Sequence, residues 1–92
     1  MAVFNYESII VGGTAIGITT ANRDQKHNYA FITVETAAVR WRCDGTDPTA
    51  AEGHILEVGD TLELEGMDEL TKFKAIRKDG VDAALKSSTG VR

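Results

Sequence analysis

Apolar and polar residues alternate in short segments along most of the chain, and Gly, Asp and Asn separate these segments. Successive side chains of a β-strand point to opposite faces, so this pattern predicts half-buried strands. The clearest two are Tyr29–Glu35, which β-branched and aromatic residues dominate, and Thr61–Glu65, where Leu62 and Leu64 share the inward face. Because Tyr29–Glu35 has apolar residues on both faces, we expect it to lie in the middle of a sheet.

Weaker alternation predicts the rest of the framework. Residues 1–13 form an N-terminal arm or a first edge strand, and 87–92 form a frayed tail. The dipeptide Asp79-Gly80 predicts a hairpin before a last strand with Val81, Ala83 and Leu85 on one face. Residues 66–70 form a turn or a single helical turn, and no long helix is expected. Further strands are predicted over residues 14–20, 39–43, 54–57 and 72–77, with polar loops at 21–28 and 44–53.

These elements predict an all-β chain with one domain over residues 1–92. Many short strands at even spacing are typical of an antiparallel β-sandwich or a jelly-roll-like barrel. A chain of 92 residues forms one core. It buries roughly 65% of the surface that the unfolded chain exposes, so neighbouring subunits would add to a modest stability.

Residues 39–43 form a strand whose two faces differ in chemistry. Strand geometry places Val39, Trp41 and Cys43 on one face and Arg40 and Arg42 on the other. Trp41, the single Trp of the chain, is therefore predicted to lie in the core. The arginines are predicted at the surface or in an interface. A base-stacking platform would need them beside Trp41, so the alternation argues against nucleic-acid binding.

The charge of the chain is acidic and unevenly distributed. The net charge is -4 and the pI is about 5.0, whereas binding of nucleic-acid phosphates requires clustered Lys and Arg. Residues 52–69 hold seven acids and no Lys or Arg, and residues 72–78 hold four bases and no acid. Two interpretations stay open, namely solvated strand faces or a charge-matched contact between subunits.

Motifs for catalysis or metal binding are absent from the sequence. Asp44-Gly45-Thr46-Asp47 lacks the oxygen ligands at alternate positions that a calcium-binding loop requires. Its residue types predict a β-turn instead. His27 and His54 are the two histidines, in unrelated contexts, and a metal needs about three protein ligands. Neither histidine is placed beside Cys43, and no phosphate-binding loop is present. We expect no enzymatic activity, no metal and no cofactor.

Targeting signals are also absent. One Cys cannot form an internal disulfide. The apolar stretch 8–17 is short and has no basic residue before it, which argues against a signal peptide. No run approaches the roughly 18 apolar residues of a membrane helix. We expect a soluble protein made in the cytoplasm, not secreted and without a membrane partner.

The segments Val39–Arg42, 44–50, 53–56 and 59–64 resemble small proteins encoded in the structural modules of tailed phages and prophages. The resemblance covers about residues 29–78, and its most specific part runs from Arg-Trp-Arg to Asp-Gly-Thr-Asp-Pro-Thr. It implies a minor virion component, since some such proteins are jelly-roll or β-sandwich cement proteins that decorate capsids as trimers. The resemblance implies no catalytic residues.

The resulting expectation is a non-enzymatic capsid decoration protein located in the virion. It would form a homo-oligomer, with a trimer favoured, and bind the major capsid protein or another virion protein. The candidate interface residues are Arg40, Arg42, Asp44 and Asp47, because Arg suits interface ion pairs and loops on a rigid sheet carry contacts. Two alternatives stay open: a tail, fibre or head–tail junction component, and a ligand- or carbohydrate-binding module with Trp41 exposed in a groove.

Overall fold

Hydrogen-bonded strands dominate the computed structural model, which describes residues 2–19 and 27–91. A short helix, α1, spans Met67–Lys72. The strands are β1 Ala2–Val11, β2 Tyr29–Glu35, β3 Val39–Arg42, β4 His54–Leu56, β5 Thr61–Glu65, β6 Lys74–Arg77 and β7 Ala83–Val91.

The strands form two antiparallel sheets. One has the order β1-β7-β2-β5 and the other the order β4-β3-β6. The prediction of a mostly β, antiparallel chain is confirmed. Of the two predicted forms, sandwich or jelly-roll-like barrel, the two sheets do not form a closed barrel. Closing a barrel requires the outermost strands to pair. Among the described strands, β1 and β5 pair only within their own sheet, and β3, β4 and β6 pair only with one another.

Side chains from both sheets meet in one hydrophobic cluster. Ile32 and Leu85 from the four-stranded sheet and Val39 and Ala75 from the three-stranded sheet are fully buried in it. Phe73, which follows α1, is also fully buried there. The shared core fixes the two sheets against each other, so β3 provides a firm base for the residues that follow it.

The strongest sequence patterns located their strands correctly. β2 and β5 have the predicted bounds, and β2 lies between β7 and β5. Leu64 is buried and Leu62 is half-buried against the core. β1 is an edge strand, in agreement with one of the two alternatives for residues 1–13.

Residues 14–20 were predicted as a strand, and their described part, 14–19, is not one. Only Ile16 forms a bridge, in which its N–H and carbonyl bond Ala75 at 2.9 and 2.8 Å. Ile18 is buried whereas Ile16 is 39% exposed, so the two do not share a face as predicted. Gly17 explains the irregular path, since a Cβ there would lie 2.5 Å from the carbonyl oxygen of Phe73.

The hairpin predicted at Asp79-Gly80 is wrong, although a turn occurs there. Gly80 has a φ of 76°, which favours glycine. However, β6 pairs with β3, whereas β7 pairs with β1 and β2. The turn therefore takes the chain from one sheet to the other.

The frayed tail predicted for residues 87–92 is also wrong over its described part, 87–91. These residues continue β7, which is the longest inner strand of its sheet. Ser87 and Thr89 are buried, and neither hydroxyl has a hydrogen-bond partner among the described residues. Small polar residues such as these are common in frayed tails, which explains the wrong prediction. In the fold they are buried because β7 lies between β1 and β2.

The remaining boundaries differ by a few residues. The predicted turn at 66–70 is the start of α1, and the next strand begins at Lys74 rather than Lys72. The predicted strands 39–43 and 54–57 end one residue earlier than expected. Of the predicted loop 21–28, residues 21–26 lie outside the described residues.

Candidate functional site

A pocket of about 520 Å³ opens where β3 ends and the loop 44–53 begins. We call it the Trp41 pocket. It lies at the end of the three-stranded sheet, where β3 and β4 are paired. Its walls come from β3, the loop and the start of β4: Trp41, Arg42, Cys43, Asp44, Glu52, Gly53 and His54.

Trp41 forms the aromatic wall of this pocket. In the sheet register Trp41 lies opposite His54 on one side and Ala75 on the other. Its ring lies 5.0 Å from the His54 ring at 41° and 6.0 Å from the Phe73 ring at 36°. The core prediction is therefore confirmed for Val39 but holds only in part for Trp41, which packs against the core and also lines the pocket.

Arg40 bonds to the loop of its own chain. Its Nε donates to the carbonyl oxygen of Ala50 at 3.0 Å, and Nη1 donates to that of Gly53 at 2.8 Å. The guanidinium thus holds the far end of loop 44–53 against β3. This geometry gives Arg40 a structural role inside the chain, and the intersubunit ion pair that the sequence suggests stays a prediction.

Arg42 and Asp44 form a two-pronged ion pair. Nε of Arg42 donates to Oδ1 at 3.1 Å, and Nη2 donates to Oδ2 at 2.5 Å. The Asp44 carboxylate also accepts the backbone N–H of Thr46 at 3.2 Å. The hydrogen bonds from Arg42 and then Thr46 lower the pKa of Asp44 to about 2, and the Asp44 carboxylate raises the pKa of Arg42.

Loop 44–53 is folded by its own bonds. Thr49 and Glu52 exchange two backbone hydrogen bonds of 2.9 and 3.2 Å. Gly53 has a φ of 138°, and a Cβ there would lie 3.1 Å from the carbonyl oxygen of Trp41. Gly45 has a φ of 90°, and the Asp44 carboxylate accepts the Thr46 N–H, so a turn closed by the Asp44 side chain lies where a β-turn was predicted. The loop is therefore a defined surface.

The predicted interface residues do not form one cluster. Arg42 and Asp44 contact each other, and Arg40 contacts the loop backbone. Asp47 is exposed on the loop, and within the described part of the chain it has no hydrogen bond or ion pair with either arginine. Asp44 and Asp47 are both exposed, and the role of the four residues in an interface stays a prediction.

Cys43 faces the helix rather than a catalytic base. Its Sγ donates to the carbonyl oxygen of Glu69 in α1 at 3.1 Å. Burial raises the pKa of the Cys43 thiol, and the nearby charges of Glu69 and Asp44 raise it further. A thiol with a raised pKa forms less thiolate, so this geometry favours a packing role.

Sequence reasoning missed Glu52 and His54 as members of the pocket. His54 was considered only as an isolated histidine, and Glu52 only as part of an acidic run. The signal that joins them to Trp41 is the pairing of β3 with β4, which places His54 opposite Trp41. The carboxylate of Glu52 has no hydrogen bond or salt bridge with a described residue and influences Arg42 only through space.

The basic segment 72–78 bonds in part to acids of its own chain. Arg77 pairs with Asp82 at 2.8 Å, and Lys78 pairs with Asp79 at 3.2 Å. Two of its four bases thus have local partners, so the charge pattern does not require a neighbouring subunit.

The described residues hold neither a metal-binding cluster nor a membrane-spanning helix. Residues 2–19 and 27–91 contain no group of three or more His, Cys, Asp or Glu side chains able to hold a metal ion. In the same part of the chain, every helix is too short or too polar to cross a bilayer.

Comparison with protein-family models, curated proteins and solved structures gave no match.

Proposed function

We propose that this protein is a non-enzymatic component of a tailed-phage virion that decorates the capsid and stabilises the head. The observation that carries the proposal is the pair of bonds from Arg40 to Ala50 and Gly53. The residues that resemble phage structural proteins form one unit through these bonds: a strand, an exposed loop and the arginine that joins them. The unit suits attachment to another surface.

A loop that is already ordered loses little conformational entropy on binding, so its contacts contribute more fully to affinity. Loop 44–53 has this property because Arg40, Gly53 and the Thr49–Glu52 bonds fix its path. Its exposed carboxylates include Asp44 and Asp47. Many such contacts repeated over a shell would give high avidity.

The outer face of the four-stranded sheet supports assembly into oligomers. Tyr6 and Ile10 of β1 are 63% and 64% exposed, and Phe31 of β2 is 38% exposed. Tyr6 and Phe31 lie in one row, because each is paired with Ser88 of β7. Apolar groups gathered on one face often mark a protein contact. We infer a homotrimer on the major capsid protein, with the two sheets packed as a jelly-roll-like sandwich.

Co-sedimentation with undecorated phage shells tests this proposal. Wild-type protein should bind saturably and raise the temperature at which the shells fall apart. Arg40→Ala should weaken binding about tenfold, because the loop must then be ordered on contact. Arg77→Ala is the matched control, since its ion pair with Asp82 lies outside the loop. Absence of wild-type binding to any shell would refute the decoration role, whereas binding to isolated tails would favour a tail, fibre or junction role.

A ligand- or carbohydrate-binding module is the second candidate function. The position of Trp41 in the wall of a 520 Å³ pocket favours it, since sugars stack on aromatic rings in such pockets. Titration with disaccharides, followed by Trp41 fluorescence, tests it. A saturable change in Trp41 fluorescence would support sugar binding, and unchanged fluorescence would count against it.

A further inference from the structure

We propose that the Trp41 pocket receives an arginine side chain of the partner protein, stacked on the Trp41 ring and paired with the Glu52 carboxylate. The inference rests on the proposed function only in taking the partner to be a virion protein. The site adjoins the exposed loop surface, and loop 44–53 contributes Asp44, Glu52 and Gly53 to its wall.

The charges of the pocket favour a cation. The charge of Arg42 is already matched by Asp44 through their two hydrogen bonds. Glu52 adds a carboxylate that no described residue bonds. At the pocket residue Cys43, the charges of Glu69 and Asp44 each act more strongly than the opposite charge of Lys72. An anionic ligand would be repelled by the Glu52 carboxylate, and an apolar ligand would cover this carboxylate without a partner, which is costly. A cation would satisfy it.

The aromatic wall favours the same ligand. Tryptophan is the best of the aromatic side chains for binding a cation over its ring. The His54 and Phe73 rings lie at 5.0 and 6.0 Å from that of Trp41 and hold it in place. A planar guanidinium can stack on the ring and donate two N–H groups to one carboxylate, which an ammonium cannot do. Arginine is therefore preferred to lysine.

The geometry fits a sugar less well. A sugar needs several side-chain donors and acceptors that are not already bonded, whereas Arg42 and Asp44 are bonded to each other. The volume of about 520 Å³ accommodates one long side chain with part of its backbone. The pocket thus offers the Trp41 ring and the Glu52 carboxylate, the two kinds of group that a guanidinium binds.

Titration with short peptides tests this proposal, because Trp41 is the only Trp and its emission reports on the pocket. The probes are acetyl-Gly-Arg-Gly-amide and the same peptide with citrulline, an uncharged isostere. We expect a saturable change in emission with the arginine peptide and at least tenfold weaker binding of the citrulline peptide. Equal responses to both peptides, or a response to disaccharides alone, would overturn the proposal.

Two variants locate the binding. Glu52→Gln should weaken binding of the arginine peptide at least tenfold. Glu57→Gln should not, because Glu57 is exposed and lies outside the pocket lining. If Glu52→Gln binds the peptide like the wild type, the assigned site is wrong.

Shell binding by the same variants separates this inference from the proposed function. If Glu52→Gln loses the peptide but binds shells like the wild type, the pocket does not serve attachment and the partner assignment fails. If the wild type binds the arginine peptide but no shell, the decoration role fails and the guanidinium site stands.

Discussion

Nη1 of Arg40 donates to the carbonyl oxygen of Gly53 at 2.8 Å and so ties β3 to the far end of the loop that follows it. The second bond, from Nε to Ala50 at 3.0 Å, fixes the guanidinium plane. Hydrogen bonds from a charged donor stabilise more than neutral ones do. The loop therefore depends on one side chain of the strand beside it.

Removal of this side chain should destabilise the protein. We expect Arg40→Ala to lower the free energy of unfolding by about 1–2 kcal/mol, because two backbone carbonyls lose a charged donor. Urea denaturation followed by Trp41 fluorescence measures the change. Arg77→Ala, which breaks an exposed ion pair, should cost less than about 1 kcal/mol. Equal losses in the two variants would contradict the role of Arg40.

The Arg42–Asp44 pair makes a pH-dependent prediction. The pKa of Asp44 is lowered from 3.8 to about 2 in the folded chain, chiefly by the hydrogen bonds from Arg42. Because the folded pKa is the lower one, the pair stabilises the fold above pH 3.8, and this contribution is lost as the pH falls towards about 2.

The Arg42→Gln variant tests that assignment by carboxyl-carbon NMR. The titration midpoint of Asp44 should rise from about 2 towards 3.8 when the guanidinium is removed. Arg77→Gln should leave the midpoint of Asp44 in place, because it removes a guanidinium with a different partner. An unchanged midpoint in Arg42→Gln would show that another group lowers the pKa.

The buried hydroxyl of Thr89 predicts a stabilising substitution. It has no hydrogen-bond partner among the described residues, and a buried unpaired hydroxyl costs free energy. Thr89→Val replaces it with a methyl group of similar shape and should raise the free energy of unfolding by about 0.5–2 kcal/mol. Ser88→Ala, on the opposite face of β7, serves as the control with little change. Destabilisation by Thr89→Val would mean that the hydroxyl binds a buried water.

Gly17 predicts a steric effect. A Cβ at this position would lie 2.5 Å from the carbonyl oxygen of Phe73, so Gly17→Ala must displace the segment that bridges β6. We expect a loss of about 1–3 kcal/mol in the free energy of unfolding. Gly12→Ala is the matched control, since its nearest contact would lie at 3.5 Å. Similar stabilities of the two variants would exclude the close approach at Gly17.

The local sequence pattern predicts a strand correctly where the residues of that strand are themselves apolar enough to show which side chains are buried. The β-branched and aromatic residues of β2 and the alternation in β5 predict both strands correctly, and strand geometry assigns Val39 and Arg40 to opposite faces as observed. β7 was missed in its second half because Ser87 and Thr89 are small and polar, and the strands on either side of β7 bury them. That burial is a long-range property that the local sequence does not contain.

The candidate site was predicted in part for the same reason. Asp44 and Gly45 have the local chemistry of a turn, and they form one. The bond from Arg40 to Gly53 spans a loop, and the contact of Trp41 with His54 depends on the register of two strands. Residue spacing predicts neither the bond from Arg40 to Gly53 nor the contact of Trp41 with His54. The sequence alone therefore places Arg40 in an interface and His54 in no site.

Hydrogen–deuterium exchange on shell-bound protein tests the central claim that loop 44–53 attaches the protein to a virion. Amides of the loop should exchange at least tenfold more slowly on undecorated phage shells than in the free protein. In Arg40→Ala the free loop should exchange faster than in the wild type. Protection of the loop on shells would agree with the account. Unchanged loop exchange in protein that has bound the shell would contradict it.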